Sequence, residues 1–314
     1  MGTDEVVLLS NPSHQQGFFH ADYRGRVLST NRVDVHELIA WGLDEYPYRG
    51  GARQKRVARH AERAQRRLAE RRSYATCSAL LEEETKRIEH LLFEHESRSD
   101  LHEEYEGLNW KLGVVDLHRL LAFQRRLVFS ATSHRSAVPL RNDWSQLISF
   151  TLGSRRDTKY RLVCHSNVVD GLEVSLYSAN PDLELRLNSK MAQNDLPPIS
   201  LYGGSPFFEV AAFRDRWFLR DGYHRAYRLL QAGVHRIPAV IIYSRTIEEI
   251  GAAKPWFFGE GQLFSNRPPR VKDFLDESLI LRYERVALQK VIRVRIEESL
   301  QPFDGADERQ GECI

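Results

Sequence analysis

The clearest pattern of hydrophobic and polar positions in this chain lies between Arg216 and Tyr243. The apolar run from Trp217 to Leu219 predicts a short buried strand. Asp221 and Gly222 follow it and predict a tight turn, in which Asp221 serves as the N-cap of the next helix. A strand should therefore lead directly into a helix here.

The residues after this turn have helical and then strand periodicity. Ala226, Leu229 and Leu230 fall on one face of a helix, and Gly233 is a typical residue just beyond a helix C-terminus. The β-branched run from Ile237 to Tyr243 predicts a second strand. Together these patterns predict a strand, turn, helix and strand in close succession.

Other segments show period-two alternation, which indicates further strands. Gly113 to Val115 predicts one of them, and Asp116 after it predicts the start of a helix. The segments with strand periodicity ahead of the main unit are Arg161–Cys164, Leu172–Tyr177, Leu183–Leu187 and Phe207–Phe213.

Helical periodicity is strongest in the first hundred residues. A pattern from Ala52 to Glu96, with a break near Ser73, predicts long packing helices. A short helix is predicted from Asp34 to Leu43, and another closes the chain from Leu279 to Leu300, although its residues near Ile292 also alternate as in a strand. A short strand is predicted from Val6 to Leu9.

These elements predict an α/β chain of the α+β type with a small mixed sheet. The predicted regions are a mainly helical N-terminal region over 1–105, a mixed domain over 106–260, and a closing helix with a disordered tail over 261–314. A chain of 314 residues with 42% hydrophobic residues can bury a substantial core.

Composition narrows the class of protein. Lys and Arg total 45 against 43 acidic residues, so net charge favours neither nucleic acid nor a membrane as partner. The three cysteines are widely spaced, which argues against a disulfide framework or a zinc site and favours a reducing cytoplasm. The absence of a long apolar run or of a signal-peptide pattern predicts no membrane association.

Two basic residues stand at the start of the predicted helix. A cation near a helix N-terminus costs about 0.3–1 kcal/mol, so the placement of His224 and Arg225 requires an explanation. A bound anion supplies one, because free backbone N–H groups and an Arg fork both bind phosphate or carboxylate. The alternative is that Asp221 caps the helix, Gly222 only forms the turn, and His224 and Arg225 are solvated.

The stretch DGYHRAYRLLQAGVHRIPAVII resembles the signature helix of the ParB/sulfiredoxin superfamily, which carries a Gly-x-[HR]-R pattern between two strands. The resemblance implies a ParB/sulfiredoxin-like domain that holds a nucleotide phosphate at the helix start. On this chain the phosphate-binding role would fall on Gly222, Tyr223, His224 and Arg225, with Asp221 as a polar or metal-facing neighbour.

The chain departs from two branches of that superfamily. Tyr223 stands where sulfiredoxins have a reactive Cys, which argues against sulfinic-acid repair. Asn180-Pro181-Asp182 lacks the second Pro and the Arg of the partition proteins, and no helix-turn-helix pattern follows Tyr243. A chromosome-partition role is therefore not expected.

Three further residues are candidates for this site. Gly203 and Gly204 would let the backbone approach a phosphate, although a plain turn explains them as well. Glu209, on a strand just before the signature helix, could act as a general base or contact magnesium. Its alternative is an exposed strand glutamate. We expect Asp221, His224 and Glu209 as the catalytic group if a reaction occurs.

The predicted N-terminal helix is strongly basic between Arg53 and Arg72. Such a helix can lie along nucleic-acid phosphates. The alternative is a solvated face that pairs with the acidic segment from Glu82 to Glu96, for example across a homodimer. His90 and His95 are five residues apart and lack zinc-protease spacing, so no metal site is predicted.

The sequence thus predicts a cytoplasmic protein that binds a nucleotide, with Mg²⁺, or another phosphate-bearing small molecule at Asp221–Arg225. Phosphoryl transfer and nucleotide hydrolysis are the reactions that such a site would support. The rival hypothesis is a non-enzymatic nucleic-acid-binding or assembly protein that uses the basic helix over 53–72.

Overall fold

A computed structural model describes residues 32–43, 51–129, 137–153, 160–167, 171–180, 182–187, 199–252 and 256–297. Contacts divide the chain into two compact units. The larger comprises 27–156 and 205–287, and the smaller comprises 1–26, 157–204 and 288–314. This division differs from boundaries at 105 and 260, because the N-terminal helices belong to the same unit as the central sheet.

The elements are numbered in chain order. The strands are β1 (Arg32–Leu38), β2 (Trp110–Asp116), β3 (Leu121–Ala122), β4 (Arg126–Phe129), β5 (Arg161–Asn167), β6 (Gly171–Ser178), β7 (Glu184–Leu187), β8 (Ile199–Tyr202), β9 (Glu209–Phe213), β10 (Arg216–Asp221), β11 (Arg236–Tyr243), β12 (Ile280–Val286) and β13 (Lys290–Ile296). The helices are α1 (Gly51–Ala69), α2 (Glu82–Arg87), α3 (Glu89–Glu96), α4 (Ser99–Glu104), α5 (Trp144–Thr151), α6 (Tyr223–Gln231), α7 (Ile247–Ile250) and α8 (Glu260–Leu263).

A five-stranded mixed sheet forms the centre of the larger unit, in the order β2-β11-β9-β10-β3. Strand β11 runs parallel to β9 and antiparallel to β2. Along β11, Ala239 and Ile241 pack with α6 in one hydrophobic cluster, whereas Val240 and Ile242 pack in a second cluster with α3. Burial on both faces explains why β11 reads as a continuous apolar run.

A second sheet of the larger unit has the order β12-β1-β4, with β1 antiparallel to both neighbours. Helix α1 packs beside it through Ala61 and Ala64, which lie in a hydrophobic cluster with Ile39 and Leu279. Small residues on this helix face allow close packing. Most of the other described α1 side chains are polar or charged.

The smaller unit contains two antiparallel sheets. One has the order β13-β6-β5 and the other pairs β7 with β8. The strands predicted at Arg161–Cys164, Leu172–Tyr177 and Leu183–Leu187 are confirmed as β5, β6 and β7.

Three helix predictions are wrong. The segment from Asp34 to Leu43 overlaps strand β1, in which exposed and buried residues alternate from Arg32 to Val35 and the remaining residues are buried. Asp116 begins a single 3₁₀ turn over Leu117–Arg119 instead of a helix. The segment predicted as a closing helix forms β12 and β13, so the strand-like alternation was the better guide there.

The long N-terminal helix is shorter than predicted. Helix α1 ends at Ala69, and a segment without helix over 72–80 leads to the shorter helices α2, α3 and α4. The break near Ser73 is thus confirmed, although the second half is divided further. The predicted strand Val6–Leu9 and the tail after 301 lie outside the described residues.

The mixture of small sheets and helices confirms the α+β class. Among the described residues, the structure has no helix with the length and apolarity needed to cross a lipid bilayer.

Candidate functional site

The predicted site residues of the larger unit converge where the β9–β10 hairpin meets α6. In the register of this hairpin Asp221 lies opposite Glu209, after an irregularity between Leu219 and Asp221. The turn at Gly222 then starts α6. The structure therefore places Glu209 opposite Asp221, on the strand that the sequence predicted just before the signature helix.

Glu209 is a buried carboxylate and not an exposed strand residue. It is only 2% exposed, and its two oxygens accept hydrogen bonds from Tyr105 Oη at 2.6 Å and Arg220 Nη1 at 2.7 Å. Burial, followed by the charge of Glu209, raises the pKa of the Tyr105 phenol, so the phenol remains the donor. Arg220 supplies the opposite charge that a buried carboxylate requires.

Gly222 holds a conformation in which any side chain would be strained. Its φ is +97°, and a Cβ atom would lie 2.5 Å from Phe208 Cδ2. Gly222 itself occupies the N-cap position, and no side chain caps the helix. The prediction that Asp221 caps α6 is therefore wrong, because the left-handed turn moves the cap one residue along.

Tyr223 is part of the core. The residue is 3% exposed, and its Oη accepts hydrogen bonds from the backbone N–H groups of Phe123 at 2.9 Å and Gln124 at 3.4 Å. Burial raises the pKa of Tyr223. This side chain fixes α6 to the segment after β3, and its hydroxyl points into protein.

His224 is exposed and contacts β4. Its Nε2 lies 2.9 Å from the carbonyl oxygen of Val128, which assigns the proton to Nε2 as the donor. The ring also meets Phe129 edge-on, with 5.2 Å between the ring centroids. In this arrangement His224 connects α6 with the second sheet.

The guanidinium group of Arg225 donates hydrogen bonds to backbone carbonyl groups. It donates to the oxygens of Pro206 at 2.7 Å and Phe207 at 2.6 Å. Asp221 Oδ1 lies 3.8 Å from Nη2, and the guanidinium carbon stands 5.7 Å from the Phe208 ring centroid. Arg225 therefore holds the chain before β9 in place, and its phosphate-binding role stays a prediction.

Gly203 and Gly204 belong to the smaller unit. Gly203 accepts a hydrogen bond from Asn180 Nδ2 at 2.6 Å, and Gly204 has a φ of +89°. A Cβ on Gly204 would lie 3.2 Å from Asp182 Cβ. Both glycines thus have a local role in the turn that follows β8, next to the turn that precedes β7.

A second candidate surface lies on α1. Val57, Ala61 and Ala64 are buried, and the exposed residues on the other side of the helix are mostly basic, although Glu62 lies among them. We name as the cationic face the exposed residues Lys55, Arg56, Arg59, Arg63 and Arg66.

None of these five side chains has an acidic partner within 4.0 Å in the described part of the chain. Among the described side chains, no residue of the basic segment pairs with the acidic segment from Glu82 to Glu96. Glu84 of α2 pairs instead with Arg236 at 2.8 Å and Arg87 at 3.0 Å. The cationic face therefore presents concentrated positive charge to solvent, whereas the net charge of the chain is only +2.

Sequence reasoning missed the two partners of Glu209. Arg220 directly precedes the predicted turn, and no hydrophobic alternation in the sequence marks it as buried. Tyr105 is more than a hundred residues away from Glu209 along the chain. The sequence signal that could have indicated Arg220 is its position as a charged residue directly before the Asp221–Gly222 turn. Within the described residues, no cluster of three His, Cys, Asp or Glu side chains is arranged to hold a metal ion.

Comparisons with protein families, with curated proteins and with solved structures give no significant match. The resemblance to the ParB/sulfiredoxin superfamily therefore stays a prediction that rests on the Asp221–Arg225 stretch.

Proposed function

We propose that this protein binds nucleic acid through the cationic face of α1. The observation that carries the proposal is the density of exposed positive charge without acidic partners between Lys55 and Arg66. Each Lys or Arg that neutralises a phosphate releases a condensed counterion, which drives binding at low salt.

The geometry of α1 suits contact with a phosphate backbone. At a rise of about 1.5 Å per residue, Arg56 and Arg66 are about 15 Å apart along the helix axis. The buried side of the helix fixes its position, so the charges are presented together on a rigid element. The cationic face has no large apolar residue, so it lacks the side chains that would insert into a lipid surface.

Fluorescence anisotropy with a labelled oligonucleotide at low salt tests this proposal. The variant Arg59→Glu/Arg66→Glu should weaken binding at least tenfold. The variant Lys86→Glu/Arg141→Glu is the matched control, because it makes the same charge change at exposed residues outside α1. Equal losses in both variants would show that only net charge matters and would overturn the assignment to α1.

A nucleotide or another phosphate-bearing small molecule at the start of α6 is the second candidate. The observation that favours it is the Gly222 N-cap: the first backbone N–H groups of a helix lack intrahelical acceptors, and no side chain caps this one. Asp221 is partly exposed beside it, where it could face Mg²⁺. The ParB/sulfiredoxin-like fold belongs to this candidate.

A thermal-shift screen of nucleotides with Mg²⁺ tests the second candidate. The readout is the ligand-induced change in Tm, because loss of Arg225 destabilises the protein by itself. Asp221→Asn and Arg225→Lys should reduce the induced shift, and His90→Ala, an exposed change on α3, should leave it intact. No shift with any nucleotide would remove this candidate.

A further inference from the structure

The β13-β6-β5 sheet of the smaller unit has one apolar face and one polar face. Tyr177 of the central strand lies opposite Arg161 on one side and opposite Val291 on the other. Directly opposite residues share a face of an antiparallel sheet, and so do residues two apart along a strand. We name as the polar face the side that carries Arg161, Glu173, Tyr177, Val291, Arg293 and Arg295.

The polar face is the solvent side of this sheet. The register places Leu162, Leu176 and Ile292 on the other face, and Leu176 is only 4% exposed. On the polar face, by contrast, the side chain of Arg293 is 71% exposed and that of Arg295 is 58% exposed. A ligand can therefore reach these arginines from solvent.

Tyr177 and Arg161 form a stacked pair on the polar face. The guanidinium carbon of Arg161 stands over the partly exposed Tyr177 ring, 4.4 Å from its centroid. Arg161 is exposed, and it has no acidic partner within 4.0 Å in the part of the chain that the structure describes. Unpaired nucleobases stack on aromatic rings and on guanidinium planes. The pair therefore offers a stacking surface to a base.

The charge of the polar face favours an anionic ligand. It carries three arginines and one glutamate, Glu173, whose Oε1 lies 3.9 Å from Arg293 Nε and accepts a hydrogen bond from Ser175 Oγ at 3.4 Å. Arg295 Nε lies 3.2 Å from Glu297 Oε1, just beyond the end of β13. Ion pairs between side chains this exposed contribute little to stability, so a phosphate can replace either carboxylate.

The shape of the polar face favours a single strand over a duplex. The major groove of DNA admits a helix or a two-stranded ribbon, so a three-stranded sheet is too wide to lie in it. The bases of a duplex are also already stacked on their neighbours. An unpaired base, in contrast, has a free face that can stack on Tyr177.

We propose that the polar face of the smaller unit binds single-stranded nucleic acid. A base stacks on the pair of Tyr177 and Arg161, and the guanidinium groups of Arg293 and Arg295 bind phosphates. This surface is distinct from the cationic face of α1 and from the start of α6, and it does not depend on either proposed function.

Fluorescence anisotropy of the full chain with labelled oligothymidine tests the proposal. The Arg59→Glu/Arg66→Glu background disables the cationic face of α1, so failure here is distinguishable from failure of that proposed function. Tyr177→Leu removes the stacking ring, and Tyr177→Phe retains it. Tyr202→Leu is the matched control, because Tyr202 of the same unit also stacks with an arginine, Arg186 at 3.2 Å, but lies on β8.

In this background Tyr177→Leu should bind oligothymidine at least fivefold more weakly, whereas Tyr177→Phe and Tyr202→Leu should retain its affinity. Arg293→Gln/Arg295→Gln changes two exposed side chains, and it should make the slope of log K against log salt concentration shallower by about 1.4. A duplex of oligothymidine with oligoadenosine should bind more weakly than the single strand.

Three results would overturn the proposal. The first is no binding of oligothymidine by the background chain. The second is equal affinity of Tyr177→Leu and Tyr202→Leu, because the stacking role is specific to Tyr177. The third is tighter binding of the duplex than of the single strand.

Discussion

Asp221 and Glu209 lie opposite each other across the β9–β10 hairpin, yet their carboxylates have different environments. Glu209 is buried with Tyr105 and Arg220, whereas the Asp221 side chain is 38% exposed and lies 3.8 Å from Arg225. The irregularity after Leu219 allows neighbouring Arg220 and Asp221 to serve different partners. One carboxylate is therefore buried inside the fold, and the other is partly exposed beside the start of α6.

Loss of Arg220 should be strongly destabilising. Arg220→Met leaves the buried Glu209 carboxylate without its countercharge and should cost about 3 kcal/mol of unfolding free energy. The double variant Glu209→Gln/Arg220→Met removes the buried charge and should recover at least about 1 kcal/mol of the summed single losses. Urea unfolding measures both, and additive losses would show that the two side chains are not coupled.

Gly222→Ala should cost more than a left-handed conformation alone. Both Gly222 and Gly233 have positive φ, at +97° and +74°, but an added Cβ meets Phe208 at Gly222 and nothing within 4 Å at Gly233. Gly233→Ala should therefore cost about 1–2 kcal/mol, for backbone strain. Gly222→Ala should cost about 1–3 kcal/mol more, for the clash. Equal unfolding free energies for the two variants would contradict this reading of the turn.

A glycine substitution in the turn between β9 and β10 should stabilise the protein. Its turn residues Arg214 and Asp215 have φ values of +48° and +61°, in the region that glycine prefers. Asp215→Gly should raise the unfolding free energy by about 0.5–1 kcal/mol. Asp215→Ala removes the same charge but keeps the Cβ, so it should give no gain. A gain of similar size for Ala would assign the effect to charge instead of strain.

His118 should make the fold less stable in acid. Burial is the main cause that lowers its pKa, with His235 and Lys272 acting in the same direction and Asp116 opposing them. The unfolded chain therefore binds the proton more readily, and the contribution of this group to stability falls as pH drops through about 6.5 and below. His118→Gln should lessen the loss of unfolding free energy between pH 7.5 and 5.5. An unchanged pH profile would exclude His118 as a source of it.

The unit from β9 to β11 could be predicted from sequence because local signals agree there. Hydrophobic runs, the Gly222 turn and the Gly233 helix end all favour the same structure, and each is present. The helix predictions for Asp34–Leu43 and Leu279–Leu300 were wrong because β1 and β12 pair over seven residues each. That pairing is a long-range contact, which local periodicity does not contain.

The candidate site was predictable only in part. Sequence placed Glu209 on a strand just before the signature helix, which is confirmed as β9. The hydrogen bonds from Arg225 to the carbonyl groups of Pro206 and Phe207 depend on the tertiary position of a loop, which local sequence does not give. The cationic face of α1 was visible as a run of arginines. Composition did not show whether those arginines pair with the acidic segment, because that depends on where α1 ends and on how the later helices pack.

The salt dependence of nucleic-acid binding tests the role of α1 most directly. If the five residues of the cationic face contact phosphates of a DNA duplex, log K should fall against log salt concentration with a slope of about −4 to −5. Neutralising Arg59 and Arg66 to Gln should make that slope shallower by about 2. A wild-type slope near zero, or an unchanged slope in the double variant, would contradict the central claim that α1 binds a phosphate backbone.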